Sequence, residues 1–220
     1  PPYTAQVGMI SRITLERKTT KIFQRAGSIV FPARRLQDFL LIRKWGRFKS
    51  KSFIAPHLKN IWQQQQPPKR GERFIIRHSG FLMRERKIEP LFEGVRLFLK
   101  RYPVAKECFR LEFAGRYPNN ELPETPLDLK DMVSYSGYKL PDELSEWLQG
   151  ADVFLLVEAK LKEGIFFPTK FAEYLGNGRP ILALSPQNGE IADLLVEGGG
   201  ILVEPDEIGA IGNALEELFL

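Results

Sequence analysis

The stretch Val153-Phe-Leu-Leu-Val157-Glu-Ala-Lys-Leu-Lys-Glu163-Gly-Ile-Phe-Phe-Pro168-Thr169-Lys170-Phe-Ala-Glu173-Tyr174-Leu-Gly176-Asn-Gly178-Arg179-Pro180-Ile-Leu-Ala-Leu184 decides the fold. Its two ends, Val153 to Val157 and Pro180 to Leu184, are apolar runs with the length of buried strands, and Thr169 to Gly176 between them repeats like a helix. Gly178-Arg179-Pro180 turns the chain out of that helix into the second strand. A strand, helix, strand passage of this kind is the unit of a parallel sheet.

The same rhythm extends in both directions. Strand-like runs at Phe74 to Arg77, Arg110 to Ala114, Met132 to Ser136 and Gly200 to Val203 join the two above. Helix-like runs at Glu89 to Arg101, Pro141 to Gln149, Gly189 to Val196 and Ile208 to Phe219 alternate with them. The expected class is α/β, a Rossmann-like doubly wound parallel sheet over residues 73–220, with ligands outside the carboxyl ends of its strands. Upstream, Gln63 to Gly71 reads Gln-Gln-Gln-Gln-Pro-Pro-Lys-Arg-Gly, which cannot build a core, so residues 63–72 are expected to be a linker. Residues 1–62 before it hold a loosely helical segment from 11 to 26, a short strand at Ser28 to Pro32, a helix from Arg34 to Trp45 ended by Gly46, and a second strand at Ser52 to Pro56. This is an incomplete N-terminal α/β piece. The opening Pro-Pro-Tyr lacks a Met, and the last helical pattern runs up to Leu220, so the chain reads as a fragment.

Composition agrees with a folded protein: of 220 residues, 43% are hydrophobic and 27% charged, with 18 Gly and 16 Pro, which excludes disorder and collagen. No apolar stretch reaches the ~18 residues that a membrane-spanning helix needs. One cysteine, Cys108, and two distant histidines, His57 and His78, leave few ligands for a metal and fit a reducing cytoplasm. The net charge of +5 conceals an imbalance: residues 1 to 90 carry 20 Lys and Arg against 5 Asp and Glu, and residues 91 to 220 carry 12 against 22. The basic half suggests a polyanion such as a phosphate, an anionic lipid surface or nucleic acid, or else a solvated face.

The loops after the strands carry the chemistry. The first, Ser79-Gly80-Phe-Leu-Met-Arg84-Glu-Arg86-Lys87, has one glycine and a basic cluster in place of Gly-x-Gly-x-x-Gly, so a dinucleotide site is not expected. Gly80 lets the backbone turn closely, and Arg84, Arg86 and Lys87 precede a helix N-terminus that favours a diphosphate, the alternative being three solvated charges. In the second loop Thr169 is expected to cap the helix, which puts Lys170 in a first turn whose dipole disfavours a cation unless an anion is bound there. Glu173, one turn on, shares its face and could accept two hydrogen bonds from vicinal hydroxyls. The plainer alternative is an exposed Lys170–Glu173 pair worth ~0.3 kcal/mol.

The run Lys170-x-x-Glu173-Tyr174-Leu-x-x-Gly178-Arg-Pro-Ile-Leu-Ala183, downstream of His78-Ser-Gly-Phe81 and Ser134-Tyr-Ser-Gly-Tyr-Lys139, resembles the C-terminal, donor-binding domain of retaining GT-B glycosyltransferases, the family-4-like group with a Glu-x7-Glu motif. The resemblance covers residues 74 to 220, and residues 1 to 57 resemble the last strand, helix, strand passage of the acceptor-binding domain. It implies a sugar moved from a nucleotide diphosphate donor to an acceptor glycan, lipid-linked acceptor or small molecule. By the same resemblance Gly80, Arg86 and Lys170 hold the diphosphate, Glu173 the ribose, and Tyr138 and Lys139 the base. Eight residues before Glu173 stands Ile165 rather than the first Glu of the motif, and candidates for the sugar side are His78, Glu163, Gly164 and Ile165.

No Asp-x-Asp metal motif is present, so neither metal nor cofactor is expected beyond the donor substrate, and no catalytic base can be named. The readings that compete with a metal-independent hexosyltransferase are a nucleotide-binding module without transfer chemistry, a sugar-nucleotide epimerase, and nucleic-acid binding through Trp45, Phe48, Phe53 and Trp62, whose spacing fits core packing better. A cytoplasmic protein, peripheral at the inner face of the membrane through its basic half, is the expected setting.

Overall fold

A computed structural model of the chain describes residues 9–57, 72–82, 85–117 and 123–220, with side chains from residue 13 onward. The chain divides into two compact units, Pro1–Pro56 and His57–Leu220. The linker expected at Gln63 to Gly71, Trp62 and Arg84 lie outside the described residues.

In the first unit a helix, α1 (Met9–Arg25), precedes a strand β1 (Ile29–Phe31), a helix α2 (Arg34–Leu40) and a strand β2 (Ser52–Ile54) that pairs parallel to β1. The expected helix from Arg34 to Trp45 does not run through. After Leu40 it loosens into a π turn, Leu41–Trp45, and Gly46 then continues in helical backbone through a 3-10 turn to Lys51. Packing is the reason: the change of pitch turns Leu41, Trp45 and Phe48 into one core with Ile29 and Phe31, and Phe23 meets Phe31, Trp45 and Phe48 edge-on at 6.3, 5.6 and 5.8 Å. The Trp45 indole N–H donates to Thr20 Oγ1 at 2.9 Å. Trp45 and Phe48 are therefore core residues, while Phe53 is exposed.

The second unit begins with β3 (Phe74–Ser79), α3 (Glu89–Arg101), a short α4 (Ala105–Cys108), β4 (Phe109–Ala114) and β5 (Val133–Tyr135). It continues with α5 (Pro141–Gln149), β6 (Val153–Val157), α6 (Thr169–Leu175), β7 (Ile181–Leu184), α7 (Glu190–Leu195), β8 (Gly200–Val203) and α8 (Ile208–Phe219). All six strands are parallel, in the order β5-β4-β3-β6-β7-β8. This is the Rossmann-like doubly wound sheet expected from the sequence, and its order reverses between β3 and β6.

Helix limits follow local chemistry. Helix α3 opens with Glu89 and Pro90 and closes with Lys100 and Arg101, matching its dipole, and the Glu143 carboxylate of α5 accepts the Leu140 N–H at 3.1 Å. Strands β6 and β7 are buried at every residue because helices cover both faces. On one face Ile76, Leu111, Leu155 and Leu182 pack with Phe92, Val95 and Phe98 of α3 and Ile211 and Leu215 of α8. On the other, Phe154 stacks on Tyr174 of α6 at 4.6 Å, and Arg77 pairs with Glu112 at 2.8 Å while lying over the Trp147 ring of α5. Each large side chain so buried contributes about 1.5–3 kcal/mol. Among the described residues no helix is long and apolar enough to cross a membrane.

Candidate active site

The reversal between β3 and β6 opens a crevice at the carboxyl edge of the sheet. There the chain leaves β3 and β4 through two glycines: Gly80 (φ 126°) donates its N–H to Ala114 O at 2.6 Å, and Gly115 (φ 152°) donates to Gly137 O at 2.7 Å. A Cβ at position 80 would lie 1.7 Å from Lys170 Cε and 1.9 Å from Nζ. The end of the Lys170 side chain thus fills the space that any residue larger than glycine would occupy. One turn further along α6, Tyr174 is fully buried and its hydroxyl accepts the Ser79 N–H at 2.9 Å, with Ser79 Oγ at 3.2 Å. That contact fastens α6 to the end of β3 and so places Lys170 over Gly80.

Helix α6 starts one residue earlier than the capping expected for Thr169 implies: Pro168 is the cap, without a side-chain hydrogen bond, and Thr169 is the first helical residue. Proline before the helix supplies a preset φ instead of a capping oxygen. Lys170 is half-buried rather than an exposed pair member. Burial pushes its pKa down, the Glu173 carboxylate pulls it up, and Arg86 pushes it down again.

Arg86 is the hub of the site. Its Nη1 donates to Phe81 O at 3.4 Å, and its charge acts on Lys170, His78 and Glu158 together. Glu158, directly after β6, accepts the Ser185 hydroxyl at 2.6 Å on Oε2, and burial raises its carboxyl above the ordinary range. Ser185 opens a loop, Ser185-Pro-Gln-Asn-Gly189-Glu190, whose small residues suit either close approach to a ligand or plain capping, and Glu158 did not stand out in the sequence. For Glu158 the signal was a carboxylate immediately after a wholly apolar run.

His78 is buried at the end of β3, against Phe113 at 5.9 Å. Its Nδ1 lies 2.9 Å from Leu155 O, and a carbonyl only accepts, so Nδ1 carries the proton and the buried Nε2 is a bare acceptor without a partner among the described residues. Burial foremost, with Lys170 and Arg86 adding, lowers its pKa from 6.5 to about 4. The unfolded chain therefore binds this proton more readily. The stability is fully present above pH 6.5 and is lost as the pH falls towards about 4, amounting to about 3 kcal/mol at 1.36 kcal/mol per pKa unit. Urea unfolding at pH 7 and pH 4 is expected to show this loss in the wild type, and His78→Asn, which does not titrate, is expected to lose less by about that amount.

The remaining candidates are spread along the same edge. Tyr138 is 60% exposed with the Arg116 guanidinium 4.8 Å over its ring, so it does not pack on the next helix. Lys139 does, with Nζ 5.8 Å from the Trp147 ring. The backbone of Gly164 is tied to the loop before α7, its N–H donating to Asn188 O at 2.9 Å and its carbonyl accepting from Glu190 N at 2.7 Å. Glu163 is half-buried beside it, and Ile165 is buried.

A six-stranded parallel Rossmann-like sheet of this order is the architecture of the C-terminal domain of GT-B proteins. Solved structures of similar fold include Staphylococcus aureus TarM in complex with Fondaparinux, alpha-GlcNAc-glycerol and UDP (TM-score 0.62, 14% identity, covering 92% of this chain and 39% of that one). The lipopolysaccharide outer core galactosyltransferase WaaB in its apo form is another (0.61, 13%, 88% and 53%). A third is trehalose-6-phosphate from E. coli bound with UDP-2-fluoro glucose (0.57, 13%, 77% and 44%). At these identities the likeness is one of fold, and the chain spans between 39% and 53% of the length of these structures. A search of curated protein sequences gave no match. Residues 86–220, more than half of the chain, match the family model of Glycosyl transferases group 1, and the chain belongs to that family.

Proposed function

We propose that residues 73–220 bind the nucleotide diphosphate-sugar donor of a metal-independent glycosyltransferase, and that the acceptor is held by the domain of which the first unit is a part. The observation that carries this reading is the convergence of Lys170 and Arg86 beside Gly80, at the point where the strand order reverses. Arg86 lowers the affinity of the Lys170 ammonium for its proton, and a diphosphate is the complement that resolves the repulsion between the two cations. UDP accompanies the TarM structure and a UDP-sugar analogue the E. coli protein, which agrees with such a ligand.

In the transfer step the bond between the sugar's anomeric carbon and the diphosphate oxygen breaks as one forms from that carbon to an acceptor hydroxyl oxygen, the hydroxyl proton passes to the departing diphosphate or to water, and negative charge grows on that diphosphate. Arg86 and Lys170 are set to stabilise that charge. Glu173 is assigned to the ribose hydroxyls, and the Gly137–Lys139 segment, with the exposed Tyr138 ring, to the base.

Calorimetry on the 220-residue chain tests the reading, with UDP, GDP and ADP each compared with its nucleoside, in buffer containing EDTA. One diphosphate is expected to bind about 100-fold more tightly than its nucleoside, as charge-assisted contacts to two cations imply. Equal affinities within every pair, or binding only without EDTA, would overturn the proposal.

A further inference from the structure

The Glu158 carboxyl group is unexplained by the diphosphate site. It stands at the end of β6, across the reversal point from Gly80 on β3, and is hydrogen-bonded on one oxygen only, by Ser185 at the end of β7. Its second oxygen takes no hydrogen bond among the described residues. The charge of Arg86 acts on it, as it does on Lys170, without a hydrogen bond between Arg86 and Glu158 among the described residues.

Strand ends lie about 4.8 Å apart across a sheet, which gives the edge a linear order. Tyr138 follows β5, Gly80 follows β3 and Glu158 follows β6, with Ser185 one strand beyond. A ligand whose base lies at Tyr138 and whose diphosphate lies at Gly80 must continue over Glu158 and Ser185. What it places there cannot be another phosphate, which a carboxyl group so near would repel or oppose by its own desolvation. It must be a neutral group rich in O–H donors. Ile165, the residue eight before Glu173, is buried, so that position offers no acceptor.

We propose that Glu158, held by Ser185, is the subsite that binds the hydroxyls of the donor sugar. This rests on the reading of the domain as a nucleotide-sugar site. Ser185 fixes the plane of the carboxyl group by engaging Oε2, leaving Oε1 to accept from the sugar. The buried setting strengthens that hydrogen bond relative to one made in water.

The test is calorimetry on the full chain with four pairs, UDP and UDP-glucose, UDP and UDP-galactose, UDP and UDP-N-acetylglucosamine, and GDP and GDP-mannose, in wild type, Glu158→Gln and Ser185→Ala. Glutamine keeps the shape and can still accept from Ser185, and thermal unfolding confirms that each variant is folded. In the pair whose sugar adds affinity to the wild type, Glu158→Gln is expected to weaken the nucleotide-sugar about 10-fold and leave the diphosphate within twofold. Ser185→Ala should act in the same direction, less strongly. An equal loss for both ligands would mean that Glu158 only holds Arg86, and no loss for either would make it a structural residue; both results overturn the subsite. If no sugar adds affinity although the diphosphates bind, the subsite alone falls. If no diphosphate binds the wild type, the reading beneath it falls as well.

Discussion

Lys170→Met is expected to lower nucleoside diphosphate affinity between about 10- and 100-fold and to leave nucleoside affinity unchanged, read by calorimetry on the full chain. Methionine keeps an unbranched apolar stem of similar length, so the space over Gly80 stays filled and only the charge is removed. The size of the effect follows from the site: the ammonium is half-buried, sits within the field of Arg86, and has no direct hydrogen bond among the described residues to give up when a phosphate arrives. Lys170→Ala should lose as much affinity, with an added cost from the emptied space. Glu163→Ala, on the loop before α6, serves as the comparison and is expected to leave diphosphate binding intact. An equal loss for nucleoside and diphosphate in Lys170→Met would place the lysine at the base or ribose instead.

The largest effect on the fold is expected at Gly115. An added Cβ there would stand 2.0 Å from the carbonyl oxygen of Gly80, 2.5 Å from its carbonyl carbon and 2.9 Å from its Cα, at a φ of 152°. These are backbone atoms held by the β3–β4 ladder, so no side chain can swing away to make room. Strain of this kind combined with a clash costs about 4 kcal/mol. Urea unfolding of Gly115→Ala is expected to show that loss, and Gly209→Ala, where a Cβ would meet nothing within 4 Å in α8, is expected to be neutral or slightly stabilising. A Gly115→Ala protein within 1 kcal/mol of the wild type would mean that the β3 and β4 loops yield easily.

How far these features were legible in the sequence depends on whether a residue's environment is local. Strand β6 and helices α3, α5 and α8 fall where the pattern placed them, because continuous apolar runs, Pro and acidic residues at helix starts, and basic residues at the end of α3 act within a turn or a strand. Strand β3 extends past Arg77 to Ser79 because His78 and Ser79, polar by sequence, find buried partners in Leu155 and Tyr174, each more than seventy positions away. The break after Leu40 was hidden since Leu36, Phe39, Leu40 and Leu41 suit an α-helix and a π turn equally. Gly80, Arg86 and Lys170 were readable as a basic, close-turning set; that Lys170 reaches Gly80 through the anchorage of Tyr174 was not. Glu158 escaped notice for the opposite reason: a lone carboxylate in a loop is ordinarily exposed, and only the neighbouring ends of β6 and β7 enclose this one.

The interlock of Gly80 and Lys170 also bears on how this chain can change over generations. A side chain at position 80 and a long one at position 170 compete for the same volume, so the two positions cannot drift independently. Shortening residue 170 first clears the space but leaves position 80 at a φ of 126°, which still favours glycine, whereas enlarging residue 80 first expels the lysine and removes the charge that we assign to the donor. A lineage that abandons Lys170 thus loses one of the two constraints on the glycine and keeps the other, its φ, and if the glycine is then lost as well the way back requires both to be reversed, the glycine before the lysine.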